Sequence, residues 1–538
     1  MFTPPKSMWT FPAIVRMQAE KHGQKSLCSF DDGQELTFAG LDSQTDSLCS
    51  AFAALGIGPG DRVMALLRNS REFLLTMLAT HKRGAIFVPI NTELKGSFLE
   101  HQLRNTEPRV VVVEAPLRGA FDTVNMIGIT VGATLAVGPA AALPGSTLHS
   151  FETLCATPAR VADQVTVSPY DAAMIIFTSG TTGPAKGVLM PHAHCFYYAL
   201  SAARSTTLGD ADRMFISMPM FHGTALLLQF YAALLAGIPS RVVKKFSAST
   251  WLDEIRACGA TVTYAVGVMP EFIFKQPQRA NDSDNPLRLI WSVPVSETWG
   301  PAFEKRFGLR ILQGYGMTEF SVPVWGDLAD PVEAGCAGRV LDEFFEVGIV
   351  DPETDEPLPV TQIGEIVVRP KVPGVFMAGY YRMPERTVEA WRNLWFHSGD
   401  AGYFDRKGRL FYVDRIKDRI RRRGENISAF EIEEVISSHP GVEQCAVVGV
   451  RVEGAGGEDE IMALIVLSDA ALQPRALLDW CEPKMPRYAL PRFVEFVQEI
   501  DRTASGKVRK QALRDRGVTP STWDREASKP QAAPRSDR

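Results

Sequence analysis

The chain has 538 residues, 45% hydrophobic and 22% charged, with 57 Lys and Arg against 62 Asp and Glu for a net charge of -5. That length accommodates three or four domain-sized units with cores that need no covalent staple. The balance excludes collagen-like and wholly disordered chains, and it lacks a global basic footprint for nucleic acid.

The eight cysteines stand far apart with no Cys-x-x-Cys, so neither a zinc ribbon nor a thioredoxin-like pair is expected. They read as reduced, buried thiols, and cytoplasm is the expected compartment. Residues 1–10 lack a basic head followed by an apolar run, so no signal peptide is expected. Residues 47–55 read as an amphipathic helix, stopped by Gly56-Ile57-Gly58-Pro59-Gly60-Asp61. A strand over 62–67, a helix over Arg71–Lys82 and a short strand over 85–89 follow. Val110–Glu114 is a β-branched run suited to a strand buried on both faces. This rhythm predicts doubly wound α/β layers with parallel sheets. Residues 225–237, interrupted by Gln229, are too short to span a bilayer and predict a buried helix.

Beyond about residue 335, short strands at Phe345–Val350, 364–369 and 411–413 predict a smaller antiparallel or barrel-like unit. An α+β pattern follows: helix 430–437, strands 444–450 and 461–467, and helix Pro474–Cys481. Residues 518–538 carry almost no large apolar side chains and predict a disordered tail.

Five segments carry chemistry. The apolar strand 174–177 runs into Thr178-Ser179-Gly180-Thr181-Thr182-Gly183-Pro184-Ala185-Lys186-Gly187. Its glycines permit close backbone approach, and its hydroxyls with Lys186 supply donors, which is what a polyphosphate cradle needs. It is not a Walker A loop, and alone it also fits a flexible hairpin. In Gly314-Tyr315-Gly316-Met317-Thr318-Glu319, Tyr315 offers an aromatic face, Thr318 a hydroxyl and Glu319 a hard oxygen ligand for magnesium. Trp395-Phe396-His397-Ser398-Gly399-Asp400 places a carboxylate after a tight turn, where it can accept ribose hydroxyls. Asp414-Arg415-Ile416-Lys417-Asp418 leads to Gly424-Glu425-Asn426-Ile427, and Thr503-Ala504-Ser505-Gly506-Lys507 lies near the end. Each of these four alone also fits an ordinary surface loop. The basic run Arg415, Lys417, Arg419, Arg421, Arg422 and Arg423 fits solvated surface, a CoA phosphate contact or nucleic acid.

In this order and spacing, the five segments closely resemble the adenylate-forming superfamily of acyl-CoA synthetases, peptide-synthetase adenylation domains and firefly-type luciferases. The resemblance covers residues 36–514, and the N-terminal half is similar to ligases for crotonobetaine and carnitine. It implies an AMP-forming carboxylic acid:CoA ligase that uses ATP, Mg²⁺ and coenzyme A with a small carboxylic acid. Neither a nucleic-acid partner nor a membrane span is expected, and oligomeric state is unreadable.

The resemblance also implies roles. Thr178, Ser179, Gly180, Thr181, Thr182, Gly183 and Lys186 wrap the β- and γ-phosphates. Tyr315, between Gly314 and Gly316, packs on adenine, while Thr318 and Glu319 hold the α-phosphate and the metal. Asp400 binds ribose with help from Arg415, and Lys507 bridges the attacking carboxylate and the α-phosphate. Lys417 is the hinge, and Gly424, Glu425 and Asn426 lie beside the pantetheine tunnel. His222 lines the acyl site near the carboxylate, or is a satisfied core histidine, whereas His192 and His194 read as structural. Tyr264, Val266, Val293, Phe320, Val322 and Trp325 are candidate acyl-pocket residues, and aromatics there also fit simple packing. Many relatives carry Gly-Gly-Ala-Pro-Leu where this chain has Trp291-Ser292-Val293-Pro294-Val295.

The expected class is α/β. Residues 1–414 form a large core of doubly wound α/β subdomains plus a small β-barrel-like subdomain. A hinge at 415–417, a mobile α+β C-terminal lid at 418–517 and the tail at 518–538 complete it. The rivals are an adenylating enzyme that serves a carrier protein and a nucleotide-binding relative that has lost catalysis.

Overall fold

The computed structural model describes residues 3–178, 185–267, 269–297, 299–416, 420–422, 425–427, 429–452, 459–485, 489–502 and 508–527. The chain divides into two units. The first comprises Met1–Gly348, Val367–His397 and Gly408–Leu410; the second comprises Ile349–Ile366, Ser398–Lys407 and Phe411–Arg538.

The first unit contains two large sheets. One runs in the order Gly379–Tyr380, Lys186–Pro191, Ala172–Thr178, Ile86–Pro89, Arg62–Leu66, Val110–Glu114, Ala133–Val137, Thr147–Ser150. Its strands are parallel from Ala172–Thr178 onward and antiparallel at the Lys186 and Gly379 edge. The first four residues of Val110–Glu114 are buried, as the β-branched run predicts for a strand covered on both faces. The other sheet runs Arg310–Leu312, Leu289–Val293, Val262–Val266, Met214–Ile216, Ser240–Val242, Ser26–Ser29, Glu35–Thr37, with only the last pair antiparallel.

Helices cover these sheets for reasons visible locally. Arg71–Lys82 starts where Ser70 Oγ accepts the Phe73 N–H at 3.2 Å, and His81 and Lys82 lie in its last turn. Lys82 is 1% exposed and is held by Asp42 and Asp46 at 2.6 and 2.5 Å. The apolar stretch that begins at Ala225 is a helix buried from Ala225 to Leu235, but its first part, Thr224–Tyr231, is wound as a π-helix before Ala232–Ala236. Among the described residues, no helix is long and apolar enough to cross a membrane.

The second unit has a four-stranded sheet in the order Val442–Arg451, Asp459–Leu467, Phe493–Phe496, Trp523–Asp524. Alternate residues feed two cores: Val447, Ala463 and Ile465 face one, while Ala446, Val448 and Leu464 face the other. Both faces are therefore buried, which explains the near-continuous apolar strands. The tail differs from its composition-based prediction over 518–527. Trp523 and Asp524 pair with Val494 and Phe493, and the Glu495 carboxylate accepts from Thr519, Ser521 and Thr522 at 2.8 to 3.1 Å. A buried carboxylate that needs donors orders a segment that hydrophobicity alone would leave loose.

Candidate active site

In the first unit, the ends of the hydroxyl-rich segment sit on a hairpin. Thr178 pairs with Lys186 and Phe177 with Gly187, antiparallel. An added Cβ at Gly187 would stand 2.8 Å from Ile175 Cγ2, so this glycine serves strand packing. Ser179, Gly180, Thr181, Thr182 and Gly183 lie outside the described residues.

The Gly-Tyr-Gly segment reads from sequence as a turn; it is a strand, Gly314–Met317, antiparallel to Ser321–Trp325, and the turn falls at Thr318–Phe320. Gly314 and Gly316 are needed because Val324 and Ser321 carbonyls press against them across the hairpin. Tyr315 is buried against Phe320, centroids 5.9 Å apart, and Thr318 is half-buried. Ser321, φ +64, carries strained backbone immediately after the turn. Glu319 is 2% exposed; Oε1 has a hydrogen-bond partner, whereas Oε2 is buried with none among the described residues.

The partner of Oε1 is Tyr380, a residue no sequence motif singled out. Its hydroxyl donates to Glu319 Oε1 at 2.9 Å and accepts from Lys186 Nζ at 3.1 Å. The Lys186 ammonium also lies 4.1 Å from the Tyr380 ring centroid. Strand pairing sets this up: Tyr380 is in register with Val188, and the Met377 N–H donates to the Glu319 carbonyl at 2.9 Å. Burial, then the Glu319 carboxylate, pushes the Tyr380 phenol above its usual range, so it stays protonated.

His222 is half-buried against the Phe221 ring, 4.5 Å between centroids, just before the π-helix. Buried Asn69 holds this loop from behind: it donates to the Met218 and Val243 carbonyls at 2.9 Å and accepts the Met220 N–H at 2.7 Å. Sequence reasoning missed Asn69, and no local signal marks it. His192 and His194 are fully buried, and burial pushes both down to about 3, so they stay neutral.

Of the six candidate pocket residues, Tyr264, Phe320, Val322 and Trp325 are almost completely buried, while Val266 and Val293 are in register at partly exposed strand ends. Trp291 packs at a tilt between Tyr264 and Trp325, with centroids 5.3 and 5.8 Å apart. Phe320 instead joins Phe376 and Phe396.

In the second unit, Asp400 is 4% exposed and its Oδ1 lies 3.3 Å from Arg415 Nε. The sequence places it after a tight turn; it lies inside strand Trp395–Phe404. Gly399, at φ +71, keeps the strand running by giving its N–H to Glu365 Oε1 at 2.9 Å. Asp414 accepts the Ala429 N–H at 3.1 Å and so caps the helix Ala429–Ser437. Ile420–Arg422 and Glu425–Ile427 form a hairpin with Arg421 opposite Asn426 and Arg422 opposite Glu425. The side chains of Glu425 and Asn426, and all of Lys417, Gly424 and Lys507, lie outside the described residues.

The fold is that of an adenylate-forming enzyme. Comparison with family models narrows the class: the AMP-binding enzyme model matches residues 15–381, and the AMP-binding enzyme C-terminal domain model matches residues 431–507. The chain belongs to the AMP-binding enzyme family. It is 33% identical over 514 residues to the crotonobetaine/carnitine–CoA ligase of Salmonella paratyphi A, spanning 92% of this chain and 97% of that protein. Among solved structures it is similar to ATP-bound MatB from Rhodopseudomonas palustris, at 26% identity and TM-score 0.82, over 94% of this chain and 98% of that one. The o-succinylbenzoate coenzyme A synthetase of Bacillus subtilis, in complex with AMP, shares the fold at 24% identity and TM-score 0.80, over 93% and 98% of the two chains.

Proposed function

We infer that this chain is an AMP-forming acid–thiol ligase. It joins a carboxylic acid to ATP as an acyl-adenylate and then to CoA as a thioester. In the first step a carboxylate oxygen attacks the α-phosphorus, and the bond to the bridging oxygen of pyrophosphate breaks. In the second the CoA sulfur attacks the acyl carbon, and the bond to AMP breaks. Both partners in the first step are anions, so positioned cations and donors matter more than acid–base chemistry.

The observation that carries this reading is the first-unit arrangement: Lys186 and Glu319 held on either side of one tyrosine hydroxyl, with Glu319 Oε2 buried and unpartnered. An unpartnered buried carboxylate oxygen suits Mg²⁺, which binds through one or two carboxylates plus substrate phosphates. Glu319 would hold the metal, which supplies charge neutralisation to the polyphosphate. Lys186 binds phosphate, Tyr315 packs on adenine and Thr318 reaches the α-phosphate. Asp400, set by Arg415, accepts the ribose hydroxyls. Lys507 bridges carboxylate and α-phosphate, a place that suits a point charge on a flexible stem.

Residues 418–517 act as a lid hinged at Lys417, with Gly424, Glu425 and Asn426 serving CoA; these roles carry over from the family resemblance. Cytoplasm is the proposed location, supported by eight free cysteines. The acid is best sought among short trimethylammonium acids, because the curated relative is named for crotonobetaine and carnitine, and among aryl acids. A carboxylate panel with ATP, run with and without CoA and read by thioester mass, tests the reading. Release of AMP and pyrophosphate with a thioester product supports it; no adenylate or thioester from any acid refutes it.

A further inference from the structure

We infer that Tyr380 is a positioning residue for the nucleotide–metal site: its hydroxyl keeps Lys186 and Glu319 apart and leaves Glu319 Oε2 as the oxygen that takes the cation. The inference rests on the ligase reading and adds a residue to it. A phenol has one proton, a lysine ammonium only donates and a carboxylate only accepts. With Lys186 Nζ at 3.1 Å and Glu319 Oε1 at 2.9 Å, the proton points to Glu319, and Lys186 donates to the phenol oxygen.

Without the hydroxyl, a cation and a carboxylate this close inside the protein would collapse into a direct pair. Such a pair ties up the carboxylate that the metal needs and must break before the metal binds, while the ammonium, with three N–H donors, keeps donors for phosphate. The ring face, 4.1 Å beneath the ammonium, gives Lys186 a second resting place. Because Tyr380 occupies Oε1, the unpartnered oxygen is Oε2. The main chain of Tyr380 does not depend on its hydroxyl: its N–H donates to Thr387 Oγ1 at 2.9 Å, and the residue pairs with Val188.

The test measures ATP affinity by calorimetry in EDTA and in excess Mn²⁺, and takes the ratio of the two dissociation constants as the metal coupling. Tyr380→Phe should lower that ratio about tenfold, the effect of one hydrogen bond to a charged group, with affinity in EDTA unchanged. Tyr380→Leu, which also removes the ring, should weaken binding in EDTA as well. An unchanged ratio in Tyr380→Phe overturns the inference, and so does an equal loss under both conditions, which is what a merely structural role would give. A wild-type protein that binds no ATP in either condition overturns the ligase reading with it; one that binds ATP while the ratio is unmoved by Tyr380→Phe overturns only the role of Tyr380.

Discussion

Replacing Gly316 with alanine puts a new carbon 2.0 Å from the Ser321 carbonyl oxygen, 2.8 Å from Val322 Cα and 2.9 Å from the Ser321 carbonyl carbon. All three are backbone atoms, so no side chain can swing aside. Real Cβ contacts essentially never fall below 3.0 Å, so the two strands must separate by roughly 1 Å. Overpacking of this kind costs about 1–3 kcal/mol. The functional loss should be larger than the stability loss, because the hairpin carries Tyr315 on one strand and turns through Thr318 and Glu319. A misplacement of about 1 Å can cost roughly 100-fold in rate. ATP–pyrophosphate exchange with any accepted acid isolates the adenylation step, and thermal unfolding reports stability. Gly209→Ala is the control, since its added carbon meets nothing within 4 Å. The expected result is an exchange rate down about 100-fold with a Tm lower by only a few degrees. Wild-type exchange and an unmoved Tm in Gly316→Ala would refute the steric argument.

Three further outcomes follow from the site and the fold. Asp400→Asn removes the charge facing Arg415, and KM for ATP should rise about tenfold; 2′,3′-dideoxy-ATP should distinguish the two proteins far less. Lys507→Ala should abolish adenylation while thioester formation from supplied acyl-adenylate continues, whereas equal loss of both half-reactions would contradict a lysine specific to the first step. Asp212 is predicted to be an acid-sensitive strut. Burial alone would raise its carboxyl, but hydrogen bonds from Arg288, Thr261 and the Gly209 N–H outweigh that and hold it below the usual aspartate range. A depressed carboxyl stabilises above the unfolded value, near 4, and the effect disappears as pH falls through the folded value. Asp212→Asn should therefore cost about 1–3 kcal/mol at neutral pH, and urea midpoints of variant and wild type should converge in acid.

Much of the fold was legible because its signals are local. The helix Arg71–Lys82 and the strands Val110–Glu114 and Phe345–Val350 fall where cap residues, β-branched runs and periodicity place them. The motif order gave family membership because each segment keeps its residue types in a fixed sequence. Misreadings arose where a distant partner decides. Asp400 sits within a strand because Glu365 takes the Gly399 N–H, and residues 519–524 are ordered because Glu495 needs donors.

The sequence by itself therefore determined the alternating core, the separate α+β unit and the residue types available for phosphate, metal and ribose. Only the tertiary structure decided how those residues are held. Tyr380 stands 194 positions from Lys186 and 61 from Glu319, yet it touches both. Asn69 fixes a loop 151 positions away. Periodicity and caps act over a few residues, whereas a buried charge takes its partner from whichever strand the sheet brings alongside, and that partner leaves no mark on the neighbouring sequence.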